Sequence, residues 1–592
     1  MTSNPRDFYK RRIACFKSDL KTLRKSLQIS SILRLLTFVV TIGGAYFFYG
    51  AMYPFLFVFI AGISCFVWLL LRHKKLSYKK NKTQALVSIN KTELDVLDRQ
   101  FRDLNEGLDF INPEHFYSSD IDLFGGGSFY QYLNRSVLSE GQSVLAGILN
   151  SNNPEDILDK QEIIKELSAL PEWRQDFMAI ARLIKQEMSM ANLKKWIEGY
   201  TPVVPKVMQF VPIAFSSFSM LLILLYFINI VPGVLLLFWF FTGLGITGKY
   251  VLRINRLSQA CTGIQNSLQQ YQKLLALIEE REFTSAILKE KRLSLLDKNN
   301  NSSQVLRQFY RYLDALDQRN NILVGVVLNG FFLWDLRQAF NIESWIANNS
   351  ADLMSWLETL VYFDAYNSLG NFAFNHPQYI YPRLIAEDTI IKANNLGHPM
   401  LDPEMSVVNN FNIQLGQFYI ITGANMAGKS TFLRTISLFI VMSNVGLPVC
   451  AEYADYRPIK LITSMRTVDS LASNESYFYA ELKRLKYITE VIKEDSYFVI
   501  LDEILKGTNS KDKAVGSEKF IEKLVNSEVG GITATHDISL CELAHKNAMV
   551  KNYYFDAKTR ENELFFDYRF QEGICTNMNA SFLLKKMKII DS

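Results

Sequence analysis

Lys429 and Ser430 close the run Gly423-Ala-Asn-Met-Ala-Gly428-Lys429-Ser430-Thr431, a glycine, four residues, then Gly-Lys and two hydroxyls. That spacing suits phosphate chemistry. Glycines let successive backbone N–H groups turn toward phosphate oxygens, and a helix N-terminus behind them adds its positive dipole end. Lys429 would neutralise the β and γ phosphates and Ser430 would hold Mg2+, so the expected ligands are ATP and its magnesium ion. Downstream, Asp502-Glu503 follows the apolar run Tyr497-Phe-Val-Ile-Leu501. Asp502 can share the Mg2+, and Glu503 can orient and deprotonate an attacking water, because phosphoryl transfer needs mainly positioning and charge neutralisation. An isolated acidic pair after a strand is commonly only a helix cap; beside a phosphate loop the catalytic reading prevails.

The elements that must position these groups are legible on both sides. Phe418-Tyr-Ile-Ile-Thr422 reads as a buried strand entering the loop, and Thr431 to Val441 as an apolar helix leaving it. Tyr497 to Leu501 has the length of a central parallel strand. Phe478, Leu482, Leu485, Ile488 and Val491 recur at helical spacing, which puts Ser476 at the start of an amphipathic helix. A serine there serves equally well as a plain N-cap. His536 follows another short apolar run and could be an ordinary core-edge histidine.

These segments resemble the MutS family of mismatch-repair ATPases. Thr422 to Thr431 is similar to the family's P-loop, Ser476-Tyr-Phe478 with Glu481 to its Ser-x-Phe segment, Gly507-Thr508-Asn509-Ser510 to the loop after the acidic pair, and Ala534-Thr535-His536 to its switch histidine. The resemblance implies roles that spacing does not give. Asn425 would touch phosphate in cis, His536 would sense the γ-phosphate, and Ser476 would reach the nucleotide of the opposite subunit, so the active unit is expected to be a homodimer. Val550 to Tyr554, Leu564 to Tyr568 and Gln571-Glu-Gly573 resemble the strand pair and turn that close the ATPase sheet, and Gly397-His398-Pro399 resembles a short element ahead of the P-loop. Fainter likenesses reach the core region: Trp356 to Asn375 around Asp364-Ala-Tyr, and Phe129 to Gly141 with Leu133-Asn-Arg-Ser136. The similarity covers most of residues 115 to 590 and is strong from about 396 onward. No segment before residue 115 suits the family's mismatch-reading domain, and with Ser592 soon after the closing sheet an extended C-terminal dimerisation element is expected to be abbreviated. DNA as a partner therefore rests on the resemblance alone.

A second departure is apolar. Leu35 to Leu71 and Val207 to Gly248 contain no charged residue. A bilayer core takes about 20 apolar residues per helix, so each block can hold a hairpin of two transmembrane spans, turning at Tyr49 to Pro54 and at Asn229 to Gly233. A soluble protein could bury such hairpins in its core, although soluble helices rarely run this far without a charged face. The first span is expected to begin near Ile29, with Arg34 reaching the interface. Lys10, Arg11, Arg12, Lys17, Lys21, Arg24 and Lys25 precede the first hairpin, Arg72, Lys74, Lys75, Lys79, Lys80 and Lys82 follow it, and Lys206, Lys249 and Arg253 flank the second. Positive-inside placement then expects a multi-pass protein of the cell membrane with the ATPase and both termini cytoplasmic.

The composition fits this plan: 592 residues, 49% hydrophobic, 21% charged, with a net charge of +5 that carries little electrostatic signature for nucleic acid. Cys15, Cys65, Cys261, Cys450, Cys541 and Cys575 show neither metal-ligand spacing nor a paired framework. Leu257, Ile264, Leu268, Tyr271, Leu275 and Ile278 predict a long amphipathic helix leaving the membrane, either a lever or a plain packing helix. The expected fold is an α/β P-loop NTPase domain of the ABC and MutS type at the C-terminus, preceded by an all-α core and lever domain interrupted by transmembrane hairpins. The expected segments are a basic cytoplasmic tail (1–28), hairpin 1 (29–72), first core part (73–205), hairpin 2 (206–249), lever and core helices (250–395) and ATPase (396–592). Function follows as a dimeric, membrane-anchored ATPase coupling ATP turnover to lever and membrane helices. The alternative is an ABC-like transport or membrane-remodelling ATPase with no DNA role, although its Leu-Ser-Gly-Gly-Gln signature is absent.

Overall fold

Two helices far longer than the usual globular helix open the chain, α1 (Pro5–Phe47) and α2 (Met52–Leu97). The computed structural model describes residues 4–184, 190–202, 204–261, 264–296, 301–466, 477–560 and 563–575. Residues 5–28, expected as a basic tail, form the first half of α1 instead. Their lysines and arginines are so dense that the segment reads as solvated, yet Tyr9 and Leu20 are buried, and the Tyr9 hydroxyl donates to Asn375 Oδ1 at 2.6 Å. There is likewise no break at residue 72, because α2 runs on until Leu86, Ile89 and Val96 are buried in the helical core.

Five shorter helices follow: α3 (Phe129–Leu133), α4 (Ser139–Asn150), α5 (Ile157–Ser168), α6 (Pro171–Ala181) and α7 (Met190–Glu198). The second apolar block gives α8 (Val211–Phe227) and α9 (Gly233–Cys261), which turn at Asn229 with φ +60°. Phe215 stacks on Trp239 with ring centroids 4.3 Å apart. Among the described residues three helices, α1, α2 and α9, are long and apolar enough to cross a membrane by length and composition; α8 is apolar but has 17 residues.

The periodic stretch expected as a lever divides into the end of α9 and α10 (Ile264–Glu279). Ile264, Leu268, Tyr271, Leu275 and Ile278 are all buried, so this face packs against the helical core. Next come α11 (Ala286–Leu293), α12 (Ser302–Asp317) and α13 (Ile322–Phe332). The long connector is α14 (Trp334–Asn375), whose 42 residues lead to the edge of the α/β region.

That region starts earlier than residue 396, at β1 (Arg383–Leu384) and β2 (Thr389–Leu396), followed by β3 (Asn409–Gln414), β4 (Phe418–Gly423), α15 (Lys429–Val445), β5 (Tyr453–Tyr456) and β6 (Lys460–Ser464). It continues through α16 (Tyr477–Val491), β7 (Tyr497–Asp502), α17 (Ser510–Asn526), β8 (Gly531–Ala534), α18 (Leu543–Lys546), β9 (Val550–Arg560) and β10 (Glu563–Glu572). One sheet has the order β10-β9-β4-β8-β7-β6, parallel except for the β9–β10 pair; a smaller one runs β1-β5-β2-β3. Alternation along β4 sends Tyr419 and Ile421 into the core shared with the helices, and Phe418 and Ile420 into a second core with Leu485, Ile488, Ile521 and Leu524. A parallel sheet covered on both faces needs such uniformly apolar strands. Its β6 edge is sealed by the helical region: Thr463 N–H donates to the Phe116 carbonyl at 2.9 Å, and Asn152 pairs with the Leu461 backbone in both directions.

Candidate nucleotide site

Gly428 has φ +103°, a conformation costly for any side chain, and it hands the chain from β4 into α15. Lys429 Nζ bends back to donate to the Gly423 carbonyl at 2.7 Å and the Ala424 carbonyl at 3.1 Å, and burial lowers its pKa. The Ser430 hydroxyl donates to Asp502 Oδ2 at 2.7 Å. Burial raises the Asp502 pKa, outweighing the Ser430 hydrogen bond. The two residues expected to share a magnesium ion thus hold each other.

Glu503 and His536 come from the ends of adjacent strands β7 and β8. His536 Nε2 lies 2.8 Å from Glu503 Oε1 and 3.3 Å from Lys429 Nζ. The imidazole hydrogen bond is the main reason the Glu503 carboxyl falls to a pKa of about 2. Glu503 and Leu505 both have positive φ, +52° and +60°. Non-glycine residues held there are strained and need outside support. Glu481 on α16 supplies it, accepting from the Leu505 N–H at 2.5 Å and the Lys506 N–H at 3.1 Å. Ser476, expected to act in trans, lies outside the described residues. Phe478, two residues on, abuts Gly507 of the loop after the acidic pair, where a Cβ would meet its side chain at 2.8 Å.

A cavity of about 400 Å³ opens beside the loop, lined by Asn425, Gly428, Lys429, Ser430, Thr431 and Glu503. Its other wall was not read from the sequence. His398, Leu401, Met405, Val407 and Tyr568 line it, a mostly apolar surface suited to a nucleobase. Burial takes the His398 pKa to about 4, so this imidazole is neutral near pH 7 and offers a flat face. The only signals in the sequence were the Gly397-His398-Pro399 string and a tyrosine within the closing strand pair. Tyr568 reaches the cavity because β10 shifts register between Phe566 and Phe570 and Tyr568 adopts φ +52°. The residues present fit a magnesium nucleotide: backbone amides and Lys429 for phosphates, Ser430 and Asp502 for the metal. Among the described residues no group of three or more His, Cys, Asp and Glu side chains could hold a metal by itself, so phosphate and water oxygens would complete the shell.

A doubly covered parallel sheet with this loop and acidic pair at its strand ends defines a P-loop, ATPase-like α/β domain. Residues 419–589 match the family model described as MutS domain V, so this C-terminal part of the chain is similar to that domain. It is 31% identical over 193 residues to MutS protein homolog 4 of Homo sapiens, covering 31% of this chain and 20% of that protein. It is 33% identical over 234 residues to the DNA mismatch repair protein MutS of Methanosarcina mazei, covering 38% of this chain and 26% of the relative. With DNA mismatch repair protein Msh2 of Dictyostelium discoideum it shares 33% identity over 186 residues, 30% of this chain and 20% of the relative. The matched part therefore spans about a quarter or less of these relatives' length.

Proposed function

We propose that this protein is a membrane-anchored MutS-type ATPase, which hydrolyses ATP at a composite site completed by a second copy and passes the resulting motion to its apolar helices. The observation that carries the reading is the convergence of Lys429, Ser430, Asp502, Glu503 and His536 beside one cavity. Incoming phosphate oxygens would compete for Lys429 Nζ, now bound to two carbonyls, and would draw it off the loop. Ser430 and Asp502 would hold Mg2+, which supplies charge neutralisation on the phosphates. Glu503 is ionised at neutral pH and can accept a proton from water once His536 turns toward the γ-phosphate.

The C-terminal turn of α15 supports a route outward. Gly446, which ends α15, abuts Lys160 and Gln161 of α5, and a Cβ there would lie 2.7 Å from Lys160. α5 in turn packs along α14: Gly370 leaves no room for a Cβ beside Leu167. Membrane anchoring is supported by the exposed apolar surfaces of α1, α2, α8 and α9 and the cationic residues that flank them. DNA binding comes from the relatives' names alone and belongs to the proposal only as a partner to be tested.

Lys429→Ala is expected to abolish ATP binding. Glu503→Gln should bind ATP normally yet turn it over about 100-fold or more slowly, since a positioned base contributes about that much. Single-turnover hydrolysis by detergent-purified protein decides it: parent-like rates in Glu503→Gln would overturn the catalytic assignment.

A further inference from the structure

Residues 320–334 carry no charge, and α13 occupies most of them. A run this short is a buried core helix or a segment lying in the membrane interface. Exposure rules out the first. Ile322 is 78% exposed and Leu323 80%, and Val324, Val326 and Val327 are exposed as well. Eleven residues with this many bare aliphatic side chains do not face water without a partner.

The C-terminal part of α13 is tightly held. Gly330 packs on Phe240 and Gly243 on the Gly330 carbonyl, each so close that a Cβ would fall 2.2 Å from the neighbour. Phe331 and Phe240 rings are 5.2 Å apart, and the Ser216 hydroxyl donates to the Phe332 carbonyl at 3.2 Å. The helix is thus seated on the second apolar hairpin, whose Leu235, Leu237, Phe238 and Phe241 are likewise exposed. Leu333, at φ +48°, then turns the chain by 83° into α14. Polar groups at the base fix this bend. The Asn329 amide oxygen accepts from the Asp335 N–H at 2.9 Å, Arg319 Nε lies 3.3 Å from Asp335 Oδ2, and Arg319 Nη2 donates to Asn255 Oδ1 at 2.5 Å. Lys249, Arg253 and Arg256, all exposed on α9 at the same end, give that side a positive collar suited to anionic headgroups.

We infer that Ile322–Phe332 is a further membrane-seated helix, which lays Ile322, Leu323, Val326 and Val327 into the acyl region of the bilayer beside hairpin 2, entering and leaving on the ATPase side. The inference rests on the membrane reading of the hairpins and extends it. Because α13 bends directly into α14, the connector to the ATPase then begins in lipid, and the bilayer is the surface against which it moves.

Spin labels on single cysteines test this in the full-length protein, with the native cysteines replaced and ATP turnover used to verify folding. Leu323→Cys and Val327→Cys are compared with Phe238→Cys on hairpin 2 and Glu155→Cys on the core, in vesicles of phosphatidylcholine and phosphatidylglycerol. Collision with oxygen, which concentrates in acyl chains, is measured against collision with a water-soluble nickel chelate. Labels at 323 and 327 are expected to match 238, with the oxygen-to-nickel ratio severalfold above that at 155. Nickel access at 323 and 327 while 238 stays oxygen-rich overturns the inference and leaves the anchored hairpin standing. Nickel access at all four positions overturns the membrane reading itself. Protection of 323 and 327 from both reagents also overturns the inference, since the face would then be covered by protein.

Discussion

At the scale of residues, the site is arranged around mutual restraint. Lys429 is occupied by carbonyls, Ser430 by Asp502, and Glu503 by His536, so each group that would meet a magnesium nucleotide already has a partner it can exchange. The Glu503–His536 contact sets a pH behaviour. A carboxyl depressed to about 2 is ionised throughout the range above its ordinary value of 4.5, and the stabilisation from that contact fades only as pH falls from 4.5 toward 2. His536→Ala removes the largest influence holding the pKa down. The acidic limb of the kcat/KM profile, which reports the free enzyme in which the two side chains touch, should therefore move up toward 4.5.

At the scale of elements, two faint strings in the sequence turn out to meet. Asp364, on α14, accepts from the Val137 N–H at 3.0 Å and the Leu138 N–H at 2.9 Å, so it caps α4 from another helix. Gly141 sits in the first turn of α4, where a Cβ would lie 2.2 Å from Asp364 Oδ2. Burial raises the Asp364 pKa to about 7, against an ordinary 3.8. A raised folded-state pKa gives stability that is complete below pH 3.8 and is lost as pH climbs through 7. Asp364→Asn should flatten the dependence of melting temperature on pH across that window while keeping one acceptor oxygen. Next to it, Glu93 of α2 binds Arg135 Nε at 2.6 Å and accepts from Asn371 and Asn375 of α14. Burial opposes the charge on Glu93, but Arg135 and the two amides outweigh it and hold the carboxyl below its usual range. Both side chains of the pair are almost wholly enclosed, at 4% and 2% exposure. Arg135→Ala leaves a buried carboxylate alone and should cost about 3–5 kcal/mol in chemical denaturation.

At the scale of the whole molecule, α14 ties the parts together. It starts at α13, passes the Asp364 and Glu93 junctions, and ends at Asn375, which contacts both Tyr9 of α1 and Glu93 of α2. On the proposed reading both apolar hairpins thus converge on one connector. A composite site predicts an assembly change as well: Glu503→Gln with ATP should sediment at twice the mass of the nucleotide-free protein, and a persistently monomeric ATP-bound form would remove the trans role proposed for the segment around Ser476.

The candidate phosphate and metal ligands were legible in the sequence because their pattern is local. Successive amides of one loop, the lysine and serine that follow, and two carboxyls at a strand end need only spacing and flanking periodicity to be recognised, and the structure brings Lys429, Ser430, Asp502, Glu503 and His536 together. The apolar blocks were legible for the same reason, as uninterrupted composition. The nucleoside wall was not, since His398 and Tyr568 lie far apart in sequence and meet through a register shift. Nor were the docking of the basic N-terminal helix, the partners of Glu93 and Asp364, or the seat of α13 on Gly243. Each joins residues tens to hundreds of positions apart, and a side chain's type does not say which distant surface will exclude water from it. That pairing is a property of packing, which only the tertiary structure decided.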